Sequence, residues 1–344
     1  MKPLLNTLFV NQDSAYLSLD GENVVVLKDG EELARFPLHN FEQITTFGYT
    51  GASPALMSKC ATDGITLNFM TPSGRFMARV QGECNGNVLL RKEQYRQSDD
   101  IAQCLYISRS FLIGKLYNSR SILKRMKREY PLRLDANALE EAIQKLDMYL
   151  QHLPDAPSIE ILRGLEGKAA VAYFSVFDQL IFQKKDFFFH ERNRRLPLDR
   201  MNCLLSFCYA LLANDVASAL QGVGLDPYVG FLHTDRPGRI SLALDCMEEL
   251  RSIMADRVAL SLVNRKQIRG KHFIQKINGA VLMTDEGRRI VLQEWHDGKE
   301  KYLTHPFLGE KIKWGLVPHA QALLLARYIR GDLDAYPLFC GNKG

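Results

Sequence analysis

Along the first 80 residues, apolar side chains recur at about every second position in short runs, and turn residues separate the runs. TLFV (7–10), AYLSL (15–19), NVVVL (23–27), LARFPL (33–38), ITLNFM (65–70) and RFMARV (75–80) are such runs, punctuated by DGEN, KDGEE and PSG. Successive side chains of a strand point to opposite faces, so this alternation predicts antiparallel strands joined by hairpins. SPALMSKC (53–60) predicts one short helix among them.

After Gly86 the period lengthens to that of a helix. Leu105, Leu112, Leu116, Leu123 and Met126 share one helical face, and Arg120, Lys124, Lys127 and Arg128 form a basic stripe beside it. Such a stripe serves either as a solvated surface or as a track for phosphates. Leu139, Ile143, Leu146, Leu150 and Leu153 predict a further amphipathic helix. The expected class is α+β: an antiparallel β-rich domain at 1–90 acting as scaffold or dimerisation unit, a linker at 91–100, and a larger all-α-helical domain at 101–344.

Composition adds bounds rather than chemistry. Of 344 residues 46% are hydrophobic and 24% charged, a balance typical of folded globular chains. No uninterrupted apolar run nears the ~18–20 residues of a membrane span, and the start resembles no secretory signal, so a cytoplasmic protein without a membrane partner is expected. Seven cysteines without a CxxC pair imply neither a disulfide framework nor a zinc knuckle. The net charge of +5 is unevenly spread: residues 1–95 hold 8 basic against 10 acidic side chains, and the remainder 36 against 29. That excess points the second part towards a polyanion.

Chemistry concentrates in three blocks. In IEILRGLEGKAAVAYFSVFDQLIF (159–182) the helical line through Glu166 is otherwise apolar or small, and a buried carboxylate is costly unless a cation or donor answers it. The bland reading is an ion pair with Arg163 or Lys168, although both point to other helix faces. Gly164 and Gly167 flank Glu166 at roughly 1 kcal/mol each against Ala, which suits close approach of another group to that backbone. In 225–260, His233 precedes a DRPGR turn, Ser241 is placed to cap the next helix, and Asp245 and Glu248 lie one turn apart on it. Taken singly, His233 reads as a core histidine and the two acids as a solvated face. Together with Glu166 they suit an oxygen-rich site with one imidazole for Mg²⁺ or Mn²⁺. Between these blocks, Lys184, Lys185, Arg192, Arg194, Arg195 and Arg200 form a basic patch suited to a phosphodiester, with Asp199 as cap of the following helix.

These blocks resemble a known family. GLEGKAAVAYF, RNRRLPLDRMNCLLSFCYALL and DPYVGFLHTDRPGRISLALDCMEELR, with GKLYNSRSILKR (114–125), GRRIVL (287–292) and ARYIRGDLDAYPLF (326–339), are similar to CRISPR-associated protein 1, the integrase of CRISPR adaptation, in a style nearest type I systems of the I-C kind. Leu196 and Cys203 depart from the family's usual Pro and Ala. The resemblance implies one Mg²⁺ or Mn²⁺ held by Glu166, His233 and Glu248, with Asp245 in support. It also implies a homodimer that joins a CRISPR-associated protein 2 dimer and carries double-stranded or branched DNA. Its reaction would be attack of a DNA 3′-OH on a repeat phosphodiester, with nuclease activity as the same chemistry using water. Residues 101–344 would then form the catalytic and DNA-binding domain. Arg192, Arg194, Arg195, Arg200, Arg236 and Arg239 are the expected phosphate contacts. The competing reading is a non-catalytic nucleic-acid-binding or assembly protein whose acids only form ion pairs.

Overall fold

A computed structural model describes residues 7–10, 12, 14–41, 43–71, 76–80, 82, 88–193 and 197–341. The N-terminal part holds two sheets. Strands β2 (Ala15–Asp20), β3 (Asn23–Lys28) and β4 (Glu31–Pro37) form an antiparallel meander, as the alternation predicts. The other sheet runs in the order β1 (Thr7–Val10), β5 (Gln43–Phe47), β6 (Thr66–Met70), β7 (Phe76–Val80). Here the expectation of wholly antiparallel pairing fails, because β1/β5 and β5/β6 are parallel. Helix α1 (Pro54–Asp63) separates β5 from β6, and a crossover helix returns the chain in the same direction. Leu17, Val24, Val26, Ile44, Leu56 and Leu67 make a shared apolar core for the two sheets and α1.

The C-terminal part is helical: α2 (Val88–Asp99), α3 (Ile101–Glu129), α4 (Ala136–His152), α5 (Ile159–Ser175), α6 (Arg200–Gly222), α7 (Ser241–Leu250), α8 (Arg257–Asn264), α9 (Asp285–Glu300) and α10 (Val317–Ile329). The expected linker at 91–100 lies almost wholly inside α2. Two short hairpins, β8 (Phe273–Gln275) with β9 (Val281–Met283) and β10 (Tyr302–Thr304) with β11 (Lys311–Lys313), interrupt what was expected to be all-helical. Each has only three residues per strand, too few for a period to register.

The sequence periods place the helical core well. Leu112, Leu116 and Leu123 of α3 are buried, as are Leu139, Ile143 and Leu146 of α4. The basic stripe of α3 faces α4: Arg120 and Lys124 pair with Asp147, and Lys127 Nζ lies 2.6 Å from Glu140 Oε2. Helix α6 is long and apolar enough to cross a bilayer, yet 78% of its most apolar window is buried in this core. Phe47 and Met70 of the mixed sheet join the helical core, with the Phe47 and Phe207 rings 5.7 Å apart. Arg79 of β7 spans the junction, donating to Asn68 Oδ1 at 2.7 Å and Gln221 Oε1 at 2.8 Å. The sheet is thereby tied to α6.

Candidate active site

Helices α3, α5 and α7 meet along one edge of the helical core. Gly114 permits the closest approach: a Cβ there would sit 2.9 Å from Glu249 Cβ, so only glycine lets α3 lie against α7 at this level. The next residue, Lys115, then reaches across to both neighbours. Its ammonium pairs with Glu166 of α5, and lies 2.7 Å from Glu248 Oε2 of α7. The second contact is a short ion pair on a buried oxygen. Arg251 holds the other oxygen, Oε1, at 2.8 Å. Burial alone would raise the Glu248 carboxyl, but the charges of Arg251 and Lys115 hold it well below the usual carboxylate range.

Glu166 is thus answered by a cation, but by neither of those anticipated from its own helix. Arg163 instead donates from Nε to Leu232 O at 3.1 Å and from Nη2 to Thr234 Oγ1 at 3.1 Å. Those two acceptors bracket His233, so α5 carries the His233 loop one turn from Glu166. Glu166 sits at the edge of the core rather than within it, its side chain 23% exposed. A Cβ on Gly164 or Gly167 would meet nothing within 4 Å, so no part of the described chain makes the close approach expected there.

His233 is fixed from the other side by Asp245. Burial of Asp245 is complete, contrary to a solvated acidic face, and its oxygens accept from Phe231 N at 2.7 Å, Leu232 N at 2.9 Å and His233 N at 3.0 Å. The same carboxylate takes the His233 ring at Nδ1. A carboxylate only accepts, so Nδ1 carries a proton, and in the neutral imidazole Nε2 is the nitrogen left to bind a metal. Gly230 makes this loop possible, since a Cβ there would lie 2.8 Å from Asp245 Oδ2. Ser241, expected as a side-chain cap, instead opens α7 and donates to Thr234 O, while Pro227 O accepts from Leu242 N and Ala243 N. A backbone carbonyl therefore does the capping.

A cleft of about 30 Å³ opens beside these groups, lined among others by Lys115, Glu166, Tyr173, Tyr209, Arg251 and Asp256. Between α7 and α8 the rod passes through a π-helical turn, Arg251–Asp256, and both its end residues face this cleft. Asp256, which no sequence pattern singles out, accepts from Tyr209 Oη at 2.6 Å and Tyr173 Oη at 3.0 Å. Burial raises its carboxyl to about 6 against those hydrogen bonds and the nearby charges of Arg251 and Arg192.

The expected phosphate contacts divide. Arg236 is exposed on the loop that follows His233, and Arg239 is half-buried at its end. Arg200 donates to Asp186 O at 2.7 Å and keeps its side chain 39% exposed. Arg192 departs from expectation: it turns inward to Asn202 Oδ1 at 2.7 Å and Ser206 Oγ at 3.0 Å, over the Tyr209 ring. Arg194 and Arg195, like Leu196, lie outside the described residues.

The chemistry of this donor set suits a hard divalent cation: two carboxylates from separate helices, one of them buried, and an imidazole oriented by a carboxylate behind it. Among the described residues no three His, Cys, Asp or Glu side chains stand close enough together to hold a metal ion, and Lys115 pairs with both Glu166 and Glu248. The family model described as CRISPR associated protein Cas1 matches residues 8–297, and the chain belongs to that family. It is 48% identical over 340 residues to "CRISPR-associated endonuclease Cas1 1" of Chlorobaculum tepidum, covering 98% of this chain and 99% of that protein. Its fold resembles that of a casposase bound to integration product, with TM-score 0.82 at 22% identity, covering 97% of this chain and 93% of the casposase. It also resembles a chain of a Cas6-RT-Cas1–Cas2 complex, with TM-score 0.81 at 20% identity over 97% of this chain and 36% of that one. The relatives it matches over nearly its whole length, of Rhodospirillum rubrum as well as Chlorobaculum tepidum, are CRISPR-associated endonucleases.

Proposed function

We propose that Glu166, His233 and Glu248 hold one Mg²⁺ or Mn²⁺ and that the chain joins DNA by attack of a 3′-OH on a phosphodiester of the repeat. The observation that carries this reading is the meeting of Glu166 and Glu248, from separate helices, on a single cationic position beside the Asp245-anchored His233. When bound, the cation would lower the pKa of the attacking hydroxyl and offset charge on the phosphate. The chain's own residues do the rest. Asp245 fixes the His233 ring and its tautomer, and Arg163 fixes the loop against α5. Arg251 stays buried beside Glu248, where its charge is available to a developing negative phosphate. One phosphodiester replaces another, so the reaction needs no external energy source.

Arg236 and Arg239, with Arg200, Arg194 and Arg195, are assigned to the DNA backbone. The solved complexes to which the fold is similar support a Cas2 partner and a DNA substrate. Within that assembly we assign a homodimer working on protospacer and repeat DNA in the cytoplasm, with residues 1–90 as its scaffold. A strand-transfer assay on branched DNA with Mn²⁺ or Mg²⁺ tests the site. Glu166→Ala and His233→Ala should each lose at least about 100-fold in rate, the scale of removing a group that stabilises transition-state charge, while DNA binding persists. Transfer within a few-fold of the wild type would defeat the assignment and favour the assembly-only reading.

A further inference from the structure

The side chain at the centre of the site is one that the proposed chemistry leaves unused. Lys115 is 11% exposed, and its ammonium touches both Glu166 and Glu248. Arg251 answers the remaining oxygen of Glu248, so two carboxylates already face two cationic groups. A divalent cation cannot take those carboxylate oxygens while an ammonium and a guanidinium occupy them. One of the two resident cations must therefore give way. Arg251 is poorly placed to do so: its guanidinium lies 4.9 Å over the Tyr209 ring and its side chain is only 17% exposed. Lys115 carries its charge as a compact head on a flexible four-carbon stem, and the cleft lies directly beside it.

We propose that Lys115 occupies the metal's place in the unloaded protein, and that loading frees its ammonium to contact the DNA phosphate entering the cleft. Lys115 is then a positioning residue that couples the two binding events. The ammonium and the divalent cation compete for the same oxygens, so each excludes the other. Once displaced, Lys115 adds a positive charge where the phosphodiester lies, and metal and DNA each strengthen binding of the other. The proposal rests on the assignment of Glu166, Glu248 and His233 as metal-holding groups.

Mn²⁺ titration of the full chain without DNA, read by electron paramagnetic resonance, separates the two claims. Lys115→Met removes the competitor at similar length, and should bind Mn²⁺ about tenfold more tightly than the wild type, whereas Glu166→Gln should bind it more weakly. In the wild type, saturating Mn²⁺ should raise affinity for branched DNA several-fold, and in Lys115→Met that gain should vanish. Mn²⁺ should also raise the melting temperature of Lys115→Met more than that of the wild type, because the variant leaves two carboxylates facing each other. If Lys115→Met melts too low to titrate, Lys115→Gln, which still donates hydrogen bonds without charge, must show the same tightening. Equal or weaker Mn²⁺ binding by the lysine variants, with Glu166→Gln impaired, overturns the role of Lys115 alone. Failure of Mn²⁺ to bind any of these proteins, or undiminished binding by Glu166→Gln, overturns the metal-site assignment together with it.

Discussion

Asp245 shows how much one side chain can organise. It accepts three backbone N–H groups of the loop and the His233 ring, with no exposure to solvent. Charge-assisted bonds of this kind are the strong ones, and an orienting partner behind a metal-binding imidazole typically accounts for about 10–100-fold in affinity or activity. Asp245→Asn keeps the shape, but one side of its amide meets N–H groups with further donors. The expected outcome is a 10–100-fold loss of strand transfer with weaker Mn²⁺ binding, measured on the same preparation. The sequence marks Glu166 because an acid on an apolar helical line is unusual, whereas His233, Asp245 and Glu248 read singly as ordinary and stand out only in combination and through the family resemblance. Lys115 escapes notice: in GKLYNSR it is one more basic residue on a long helix, and only the close packing of α3 on α7 that Gly114 permits shows where it goes. Arg192 errs in the opposite direction, since a basic run does not reveal which of its members turn inward to Asn202 and Ser206. For Arg236 and Arg239, alanine at both positions should flatten the slope of log K against log salt by nearly 2, as two phosphate contacts would. An unchanged slope removes them from the DNA path.

Among the elements, the long helices, helix α1 and the strands with apolar alternation are legible, and the polar strand β5 and the three-residue hairpin strands are not. The faces of α3 and α4 follow from leucines at helical spacing, and Asp199 caps α6 as read. Strand β5 is QITTF, with three polar residues of five and no apolar alternation, yet all five residues are buried. Missing it concealed the parallel pairing. The π-helical turn likewise has no signature in RSIMAD, and it brings Asp256 to the cleft. Burial raises the Asp256 carboxyl from 3.8 to about 6, so the folded protein keeps a proton that the unfolded chain releases at lower pH. Its stability contribution is full below about pH 3.8 and is lost as pH rises through about 6. Asp256→Asn cannot release that proton. Thermal melts from pH 4 to 8 should show the wild type losing on the order of 3 kcal/mol relative to Asp256→Asn across this window. Parallel curves would place the titration elsewhere.

At the scale of the whole molecule, the chain end secures the back of the site. Beyond α10 the tail returns beneath α7, with Tyr336 and Phe339 buried. Glu249, the neighbour of Glu248, accepts from Phe339 N at 2.7 Å and from Tyr336 Oη. Asn118 of α3 donates to both Glu249 O and Phe339 O at 2.7 Å, and accepts from Gly341 N at 2.8 Å. The tail therefore straps α7 to α3, the two helices that bring Glu248 and Lys115 together. Phe339→Ala empties a fully buried aromatic site and should cost about 3–5 kcal/mol in denaturant unfolding, with strand transfer falling alongside it. A loss below about 1 kcal/mol would mean the tail is not part of the core.

The central claim is that Glu166, Glu248 and His233, contributed by three separate segments, hold one divalent cation. Anomalous diffraction from crystals grown with Mn²⁺ addresses it most directly. The account predicts a single strong peak within coordination distance of a carboxylate oxygen of Glu166, a carboxylate oxygen of Glu248 and His233 Nε2, with Lys115 Nζ moved off both acids. A peak on other residues, or density showing the Lys115 bridge intact at saturating Mn²⁺, would contradict it.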